Sequence, residues 1–385
     1  MQTKLPQTLI DSATGKKADE ILRSCVHCGF CLATCPTYQL LGDELDSPRG
    51  RIYLIKSALE GEAFSQSSIS HLDRCLTCRA CETTCPSGVE YGELLDIGRS
   101  FIEPKRALWQ KVYRTSIRKV LTSPRLFNSV GFLFRHSKIQ TPVEERPEAI
   151  TQRVLLLTGC VQPTLAPNIN HATKNVLTRL GIDVVETEQK ECCGALDQHL
   201  AAADEAKEKI KRNLDLWSTL LSTGVDTIIS TASGCGVMVK DYTTLFDTDD
   251  PYYDKAKTVA DRTKDIAEYL LEQDLTAVTV KQANISIQIP CSLQHGQKLP
   301  NVLPELLTKL GYDISPVKDS HLCCGSAGTY SIFEPKLSKQ LRDNKLDNLT
   351  RSNPDVIVSA NIGCLMHLQK GTETPVKHWV ELLET

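Results

Sequence analysis

Two short cysteine-rich stretches near the amino terminus have the same spacing and indicate the fold of the amino-terminal domain. The first, residues 25–36, reads Cys25-Val-His-Cys-Gly-Phe-Cys-Leu-Ala-Thr-Cys-Pro36, and the second, residues 75–86, reads Cys75-Leu-Thr-Cys-Arg-Ala-Cys-Glu-Thr-Thr-Cys-Pro86. Both have the spacing C-x2-C-x2-C-x3-C-P. In two-cluster ferredoxins, three cysteines of such a motif bind one [4Fe-4S] cluster and the fourth binds the other. The spacing therefore predicts two [4Fe-4S] clusters in a helical, ferredoxin-type domain at residues 1–100.

The exchange of fourth cysteines predicts two sets of ligands. The cluster 1 site is Cys25, Cys28, Cys31 and Cys85, and the cluster 2 site is Cys75, Cys78, Cys81 and Cys35. Zinc and structural disulfides are the alternatives. Zinc sites use pairs of C-x2-C separated by a longer loop, which does not match a third cysteine at the next step in both motifs. Sixteen cysteines in 385 residues are about 4% of the chain, a smaller fraction than the roughly 8 to 10% of small disulfide-rich secreted domains.

The composition is that of a soluble globular protein. At roughly 150 residues per domain, the length suggests two or three domains. The 44 basic and 47 acidic side chains give a formal charge of -3, so we expect no nucleic-acid partner. No apolar run approaches the roughly 18 to 20 residues of a spanning helix, and residues 1–17 lack the apolar core of a secretory signal. We expect a cytoplasmic protein.

The rest of the chain contains an internal repeat. The interval from Cys160 to Cys192 is 32 residues, and so is the interval from Cys291 to Cys323. The interval from Cys193 to Cys235 is 42 residues, and the matching interval from Cys324 to Cys364 is 40. Short apolar strands alternate with helices in both copies, which predicts βαβ units and a mainly parallel sheet. The fold class is therefore α+β and α/β: the helical ferredoxin-type domain is followed by two α/β domains, at residues 151–275 and 276–385.

Each repeat contains four cysteines and a Cys-Cys-Gly sequence. In parallel sheets, the carboxyl ends of the strands line one crevice where ligands bind, so we expect each repeat to gather its sulfurs in a cleft. The sets are Cys160, Cys192, Cys193 and Cys235, and Cys291, Cys323, Cys324 and Cys364. They are candidates for a further iron–sulfur cluster or another metal. The alternative is four structural thiols in each repeat, because free cysteine packs as a small hydrophobic residue.

A basic connector is expected at residues 101–150. Residues 101–138 contain nine basic side chains and one acid, Glu103, and apolar residues recur at helical spacing from Leu108 to Leu121 and continue through Phe127 to Phe134. Such a helix can lie on an anionic membrane surface or dock on a partner. We favour burial of its apolar face against the cluster domain, although both can hold. The basic residues are Lys105, Arg106, Lys111, Arg114, Arg118, Lys119, Arg125, Arg135 and Lys138.

The chain resembles the iron–sulfur subunit of glycolate oxidase, also called glycolate dehydrogenase. The resemblance runs from about residue 18 to the carboxyl terminus. Besides the two ferredoxin motifs and the two Cys-Cys-Gly domains, it rests on residues 47–56 (SPRGRIYLIK), 360–369 (ANIGCLMHLQ) and 374–379 (TPVKHW). A broader group that shares the Cys-Cys-Gly domains includes iron–sulfur subunits of anaerobic glycerol-3-phosphate dehydrogenase, lactate-utilisation proteins and heterodisulfide reductase.

The resemblance implies the non-flavin, electron-transfer component of an oxidoreductase. Separate FAD-containing subunits would oxidise glycolate to glyoxylate, and often D-lactate to pyruvate, and this chain would pass the electrons to a quinone or another respiratory acceptor. It would lie peripherally on the inner face of the cytoplasmic membrane, and the isolated chain would have no catalytic residues. The alternatives are a subunit of another 2-hydroxy acid or glycerol-3-phosphate dehydrogenase, and a thiol-redox protein similar to heterodisulfide reductase.

Two further patterns concern cofactors. No G-x-G-x-x-G sequence follows a strand, so we expect neither FAD nor NAD in this chain. Heterodisulfide reductase carries an additional cysteine three positions after the last cysteine of a set, where this chain has Met238 and His367. A five-cysteine cluster is therefore not expected, whereas four cysteines still suffice for a cluster or another metal.

Overall fold

The computed structural model describes residues 1–62, 65–131, 150, 152–187 and 192–383. The amino-terminal part is helical, as its motifs predict. Its helices are α1 (Gln7–Ile10), α2 (Ala13–Ser24), α3 (Pro36–Leu41), α4 (Pro48–Leu59), α5 (Gln66–Asp73), α6 (Ala80–Thr84) and α7 (Tyr91–Ile102). The connector follows as α8 (Leu108–Thr122) and α9 (Pro124–Gly131).

Helices α4 and α7 form the centre of the amino-terminal core. Helix α4 begins at a Ser-Pro turn, in which the Ser47 side chain accepts a hydrogen bond from the Gly50 N–H and Pro48 occupies the first turn. Gly98 of α7 allows the close approach, because a Cβ atom there would lie 2.7 Å from Ile55 Cγ1. The cysteine motifs lie in the turns between these packed helices.

The carboxy-terminal part consists of two four-stranded parallel sheets with the same topology. Their orders are β2-β1-β3-β4 and β6-β5-β7-β8. The strands are β1 (Gln152–Leu157), β2 (Ile182–Val185), β3 (Thr227–Ser230), β4 (Thr263–Asp265), β5 (Asn284–Gln288), β6 (Asp313–Ser315), β7 (Val356–Ser359) and β8 (Val376–His378). The predicted α/β repeat and its parallel sheets are confirmed. The boundaries between domains stay a prediction.

Helices cover both sheets, and among the described residues the first repeat has more of them than the second. Those of the first repeat are α10 (Gln162–Leu165), α11 (Pro167–Arg179), α12 (Ala195–His199), α13 (Ala203–Ser222), α14 (Ser233–Lys240), α15 (Tyr253–Asp261) and α16 (Ile266–Leu271). Those of the second are α17 (Val302–Lys309), α18 (Tyr330–Phe333), α19 (Pro335–Leu349) and α20 (Ile362–Gln369). One apolar core runs through both repeats, from Val154 in β1 to Trp379 after β8.

The last strand of each repeat ends on a buried side chain that caps the following turn. Asp265, at the end of β4, accepts a hydrogen bond from the Ala267 N–H. His378, at the end of β8, accepts one from the Val380 N–H through Nδ1 at 3.3 Å and donates from Nε2 to the Thr231 carbonyl oxygen at 2.8 Å. The two repeats therefore use one capping position with different chemistry.

We expect His378 to make the folded chain acid-sensitive. Burial lowers its pKa to about 4, whereas an unfolded histidine takes up a proton near pH 6.5. Because the unfolded state binds the proton first, stability falls as the pH drops below 6.5, by about 2 kcal/mol at pH 5. The apparent Tm of His378→Gln, measured at one scan rate, should depend less on pH from 7 to 5 than that of the wild type. His321→Gln is the control, and equal slopes for all three proteins would contradict this explanation.

Candidate metal centres

The two amino-terminal motifs adopt the same backbone conformation. In the first motif, His27 and Gly29 have φ values of 56° and 84°, and Thr77 and Arg79 at the equivalent positions have 52° and 61°. Left-handed residues in such turns direct backbone N–H groups to one side, where they can bind negatively charged sulfur. The Thr77 N–H accordingly lies 3.5 Å from Cys75 Sγ. Sequence reasoning missed this feature, because only Gly29 carries a residue typical of that conformation.

The cysteines surround two neighbouring cavities. One is lined by Cys25, Cys28, Cys31 and Cys85, together with Cys81. The other is lined by Cys35, Cys75, Cys78 and Cys81. The fourth cysteine of each motif thus lies beside the first three of the other motif, which is the grouping that the crosswise ligand sets require. Ligation by these sets stays a prediction.

The two sites differ in their exposure. Cys28 is exposed at the cluster 1 site, and its neighbours Val26 and Phe30 are 67% and 64% exposed. The cluster 2 site faces the second repeat, where Leu76 and Cys78 belong to the same apolar cluster as Cys291 and Cys323. The first site is therefore open to a partner, and the second is in contact with the repeats.

The chemistry of the thiols fits iron. Burial raises the pKa of Cys31 to about 11, and it raises the pKa of Cys78 and Cys81 well above the usual range. Thiols with such pKa values keep their protons at neutral pH unless a cation takes their place. A coordinated metal supplies that positive charge and deprotonates its thiol ligands. The buried sulfur sets are thus suited to the [4Fe-4S] clusters that their spacing predicts.

The cysteines of the two repeats are arranged in the same way. Cys160 and Cys291 follow β1 and β5, and Cys235 and Cys364 lie in the first turns of α14 and α20. In the second set, Cys291 Sγ and Cys323 Sγ lie 3.9 Å apart. In both sets, a neighbouring thiol raises the pKa of a cysteine, as Cys364 does for Cys324 and Cys235 does for Cys193. Each repeat therefore does gather its four sulfurs at the carboxyl ends of its strands.

The two sets share one cavity, which differs from the expectation of a separate cleft in each repeat. All eight cysteines line a cavity of about 530 Å³, and Cys75 of the second motif reaches it as well. The sheets meet crevice to crevice, because the Ser233 N–H donates to the Ala360 carbonyl oxygen and the Ser233 hydroxyl lies 2.7 Å from that of Ser292. A ligand in this cavity can therefore contact both repeats.

A buried lysine lies beside the second set of cysteines. The Lys345 ammonium donates to the carbonyl oxygens of Asp319 and Ser320 at 3.2 and 2.9 Å. Burial lowers its pKa, and the nearby Cys324 opposes that change. Lys345 belongs to α19, and no sequence pattern indicates that it lies beside these cysteines.

The positions three residues after the last cysteine of each set, where heterodisulfide reductase has a cysteine, are Met238 and His367. Met238 is buried in the core of the first repeat. His367 Nε2 lies 3.2 Å from the Ser338 hydroxyl, and burial lowers the pKa of His367. Both side chains therefore have structural surroundings in this protein.

The connector turns three arginines inward. Arg106 binds Asp73 at 2.6 Å, and Arg118 binds Asp197 of the first repeat at 2.6 Å. The guanidinium of Arg114 lies 4.8 Å from the centre of the Phe333 ring. These contacts attach the connector to both the amino-terminal part and the repeats.

The apolar face of α8 points outward, so the favoured prediction that it covers the cluster domain is wrong. Leu108 and Trp109 are 76% and 69% exposed, and Val112 and Tyr113 are also exposed. The reason is that α8 packs on a surface containing acidic side chains, which bind its arginines instead. Residues 132–149, with Arg135 and Lys138, lie outside the described residues. Within the part of the chain that the structure describes, no helix is long and apolar enough to cross a bilayer.

Comparisons with known proteins agree with this organisation. Residues 21–89 match a family described as a 4Fe-4S dicluster domain, and residues 154–240 and 285–369 each match a cysteine-rich domain family. The glycolate oxidase iron-sulfur subunit of Escherichia coli (strain K12) is 47% identical over 401 aligned residues, covering 100% of this chain and 98% of that protein. The probable glycolate oxidase iron-sulfur subunit of Bacillus subtilis (strain 168) is 30% identical, with 97% and 94% covered. Lactate utilization protein A of the same strain is 26% identical, across 60% of this chain and 99% of its own length.

Proposed function

This chain belongs to the family of glycolate oxidase iron-sulfur subunits, and from that premise we propose that it carries electrons from FAD-containing subunits to a quinone or another respiratory acceptor. The partner subunits oxidise glycolate to glyoxylate, and D-lactate to pyruvate, while this chain is the iron–sulfur, electron-transfer component. The observation that supports this function is the continuous series of sulfur sets: the exposed cluster 1 site, the cluster 2 site, and the cavity shared by the repeats.

The amino-terminal cysteines hold the two [4Fe-4S] clusters in this proposal. Cys25, Cys28, Cys31 and Cys85 bind cluster 1, and Cys75, Cys78, Cys81 and Cys35 bind cluster 2. When bound, the clusters supply one-electron carriers. The chain's own part is to keep the sites adjacent, to exclude water from the second site and to expose the first. The two cysteine sets of the repeats hold a further cluster or another metal in the shared cavity.

Electrons enter at the cluster 1 site in this proposal. Electron transfer between proteins requires close approach of the carriers, and Cys28 is the exposed thiol of this site. Val26 and Phe30 form an exposed apolar surface around it, of the kind found at the centre of protein interfaces. We therefore expect the FAD-containing subunits to bind over Val26, Cys28 and Phe30.

We expect Phe30→Glu to weaken binding of the FAD-containing subunits by roughly tenfold or more, because a charge would be buried in the interface. In the wild-type complex, anaerobic glycolate should reduce the [4Fe-4S] clusters, as seen by EPR. Phe30→Glu should slow this reduction at low subunit concentration and regain it at high concentration. The control is Trp109→Glu, a substitution on the connector. Glycolate should reduce the clusters of this variant at the wild-type rate. Clusters that glycolate does not reduce in the assembled wild type would contradict the proposed function.

The shared cavity has features that suit a flat, apolar acceptor such as a quinone. Trp109, Tyr113 and Phe333 line one side of it. The Tyr330 hydroxyl and the Gln110 Oε1 atom are buried without a partner among the described residues, and both residues line the cavity. These groups can donate to and accept from the carbonyl and hydroxyl forms of a quinone. We therefore propose that the acceptor binds at the aromatic side of this cavity, beside the cluster or metal that the cysteines hold.

Helix α8 provides the proposed contact with the membrane. Its exposed apolar residues lie beside basic side chains that remain at the surface, namely Lys105, Lys111, Lys119 and Arg125. An apolar face flanked by lysine and arginine matches the interface of an anionic bilayer. We propose that the chain lies peripherally on the cytoplasmic face of the membrane through α8, next to the cavity for the acceptor.

A further inference from the structure

Arg51 lies in the wall of the cluster 2 site and is only 1% exposed. Its Nε atom donates to the His71 carbonyl oxygen at 2.7 Å, and Nη2 lies 3.3 Å from Asp46 Oδ1. Its Nη1 atom is 3.9 Å from Cys35 Sγ. Because Asp46 also pairs with Arg74 at 3.1 Å, a single carboxylate is shared between two guanidinium groups. The positive charge of Arg51 is therefore available to the sulfurs of the site.

Two hydroxyl groups extend this network to the cysteines. Both terminal nitrogens of Arg51 donate to Thr37 Oγ1 at 3.1 Å, and Thr37 Oγ1 lies 3.3 Å from Cys35 Sγ. On the second motif, the Tyr91 hydroxyl donates to Cys75 Sγ at 3.5 Å. A metal-bound thiolate has no proton to donate, so Tyr91 is the donor in the loaded site. Cys35 and Cys75 come from different motifs, and Arg51 and Tyr91 line the cavity that contains both of them.

The cluster 1 site has different surroundings. An arginine, Arg49, also lines this site, but its side chain is 33% exposed and pairs with Glu44 at 2.5 Å, and Cys28 is exposed to water. The Met1 ammonium binds the Cys25 carbonyl oxygen at 2.6 Å, and this contact is only partly buried. Water solvates the charge that reduction adds at this exposed site. At the buried cluster 2 site, protein groups must supply that stabilisation.

Burial and hydrogen bonding act in opposite directions on the reduction of an iron–sulfur cluster. Reduction adds a negative charge, which a buried environment disfavours, whereas donors to sulfur and nearby positive charge favour it. A buried cluster 2 without the contacts of Arg51 and Tyr91 would accept electrons less readily. The network is thus placed where it offsets the effect of burial.

We propose that Arg51 and Tyr91 raise the reduction potential of cluster 2 and thereby direct electrons inward, from the exposed cluster 1 to the buried cluster 2. In this step cluster 1 gives up one electron and cluster 2 gains it. The proposal rests on the proposed function, because it requires a [4Fe-4S] cluster at each site. Arg51 and Tyr91 act as positioning residues, and a purely structural role would leave the potentials unchanged.

The test is a redox titration of the reconstituted full-length chain, followed by EPR. Tyr91→Phe removes the hydroxyl donor and keeps the ring. We expect reduction of one cluster to become roughly threefold to tenfold less favourable, a shift of about 30 to 60 mV to more negative potential for one electron, with the other cluster unchanged. Tyr53→Phe, which removes an exposed hydroxyl from α4, is the matched control and should shift neither. Arg51→Gln should give a larger shift of the same sign. If Arg51→Gln does not fold, Tyr91→Phe alone tests the proposal.

The affected cluster is identified with Cys78→Ser, which removes a proposed ligand of cluster 2. The proposal is overturned if Tyr91→Phe leaves both potentials unchanged, raises one of them, or shifts the cluster that survives in Cys78→Ser. Absence of both clusters from the reconstituted wild type would instead contradict the proposed function. The two failures are therefore distinguishable.

Discussion

Replacing Cys35 with serine is expected to abolish cluster 2, although Cys35 belongs to the first motif. In the structure Cys35 lies at the cavity of Cys75, Cys78 and Cys81, and Pro36 begins a helix that leads the chain away from its own motif. Loss of a hydrogen-bond partner of a metal ligand typically lowers metal affinity or activity by about 10- to 100-fold. Loss of a ligand itself has a larger effect. We expect glycolate-dependent reduction of the acceptor to fall by roughly a hundredfold or more.

The measurement compares four serine variants by iron content and EPR. Cys35→Ser should retain the same EPR signal as Cys78→Ser, because both lack a ligand of cluster 2. Cys28→Ser should instead retain the signal of Cys85→Ser, because both lack a ligand of cluster 1. Each variant should contain about four fewer iron atoms per chain than the wild type, the content of one [4Fe-4S] cluster. A Cys35→Ser signal that matches Cys28→Ser would show that each motif binds its own cluster, and the crosswise sets would be wrong.

The second large effect is expected at the exposed face of α8. Trp109→Glu replaces a large apolar side chain with a charge that anionic lipids repel, and burial of such a side chain contributes roughly 1.5 to 3 kcal/mol. We expect binding to vesicles of mixed neutral and anionic lipid to weaken by roughly tenfold to a hundredfold. The measurement is co-sedimentation of the full-length chain with vesicles at low and high salt.

Two controls separate membrane binding from other losses. Phe30→Glu introduces the same charge at the surface proposed for the FAD-containing subunits, and it should bind vesicles like the wild type. Wild-type binding should also weaken at high salt, because the basic side chains beside the face are solvent-exposed. Equal vesicle binding by Trp109→Glu and the wild type would contradict the assignment of α8 to the membrane.

The candidate sulfur sets could be predicted from the sequence because the information for them is local and repeated. The spacing of each ferredoxin motif is fixed by the geometry of a cluster, and the equal intervals after Cys160 and Cys291 follow from duplication of one α/β unit. The strands β1, β2, β3, β5 and β7 were also predicted, since each is a short apolar run. The three-residue strands β4, β6 and β8 were not predicted, because they are too short and too polar to form such a run. What these patterns could not give was how the two repeats face each other, and so the shared cavity was not foreseen.

The orientation of α8 was mispredicted for a physical reason. Its helical periodicity is correct, but periodicity does not say which face meets the protein. That depends on acids distant in sequence, since Asp73 binds Arg106 and Asp197 binds Arg118. Arg51 illustrates the same limit, because its neighbours Cys35, Asp46 and His71 come together only in the folded chain.

Because the two sheets meet around one cavity, the sequences of the two repeats cannot vary independently there. All eight cysteines line one cavity, so a substitution in the wall that one repeat contributes alters the surroundings of whatever the other repeat holds. Selection must therefore act on the pair, and the copies are free to diverge only in complementary ways. The two repeats already differ at one equivalent position, where β4 ends on an aspartate and β8 on a histidine.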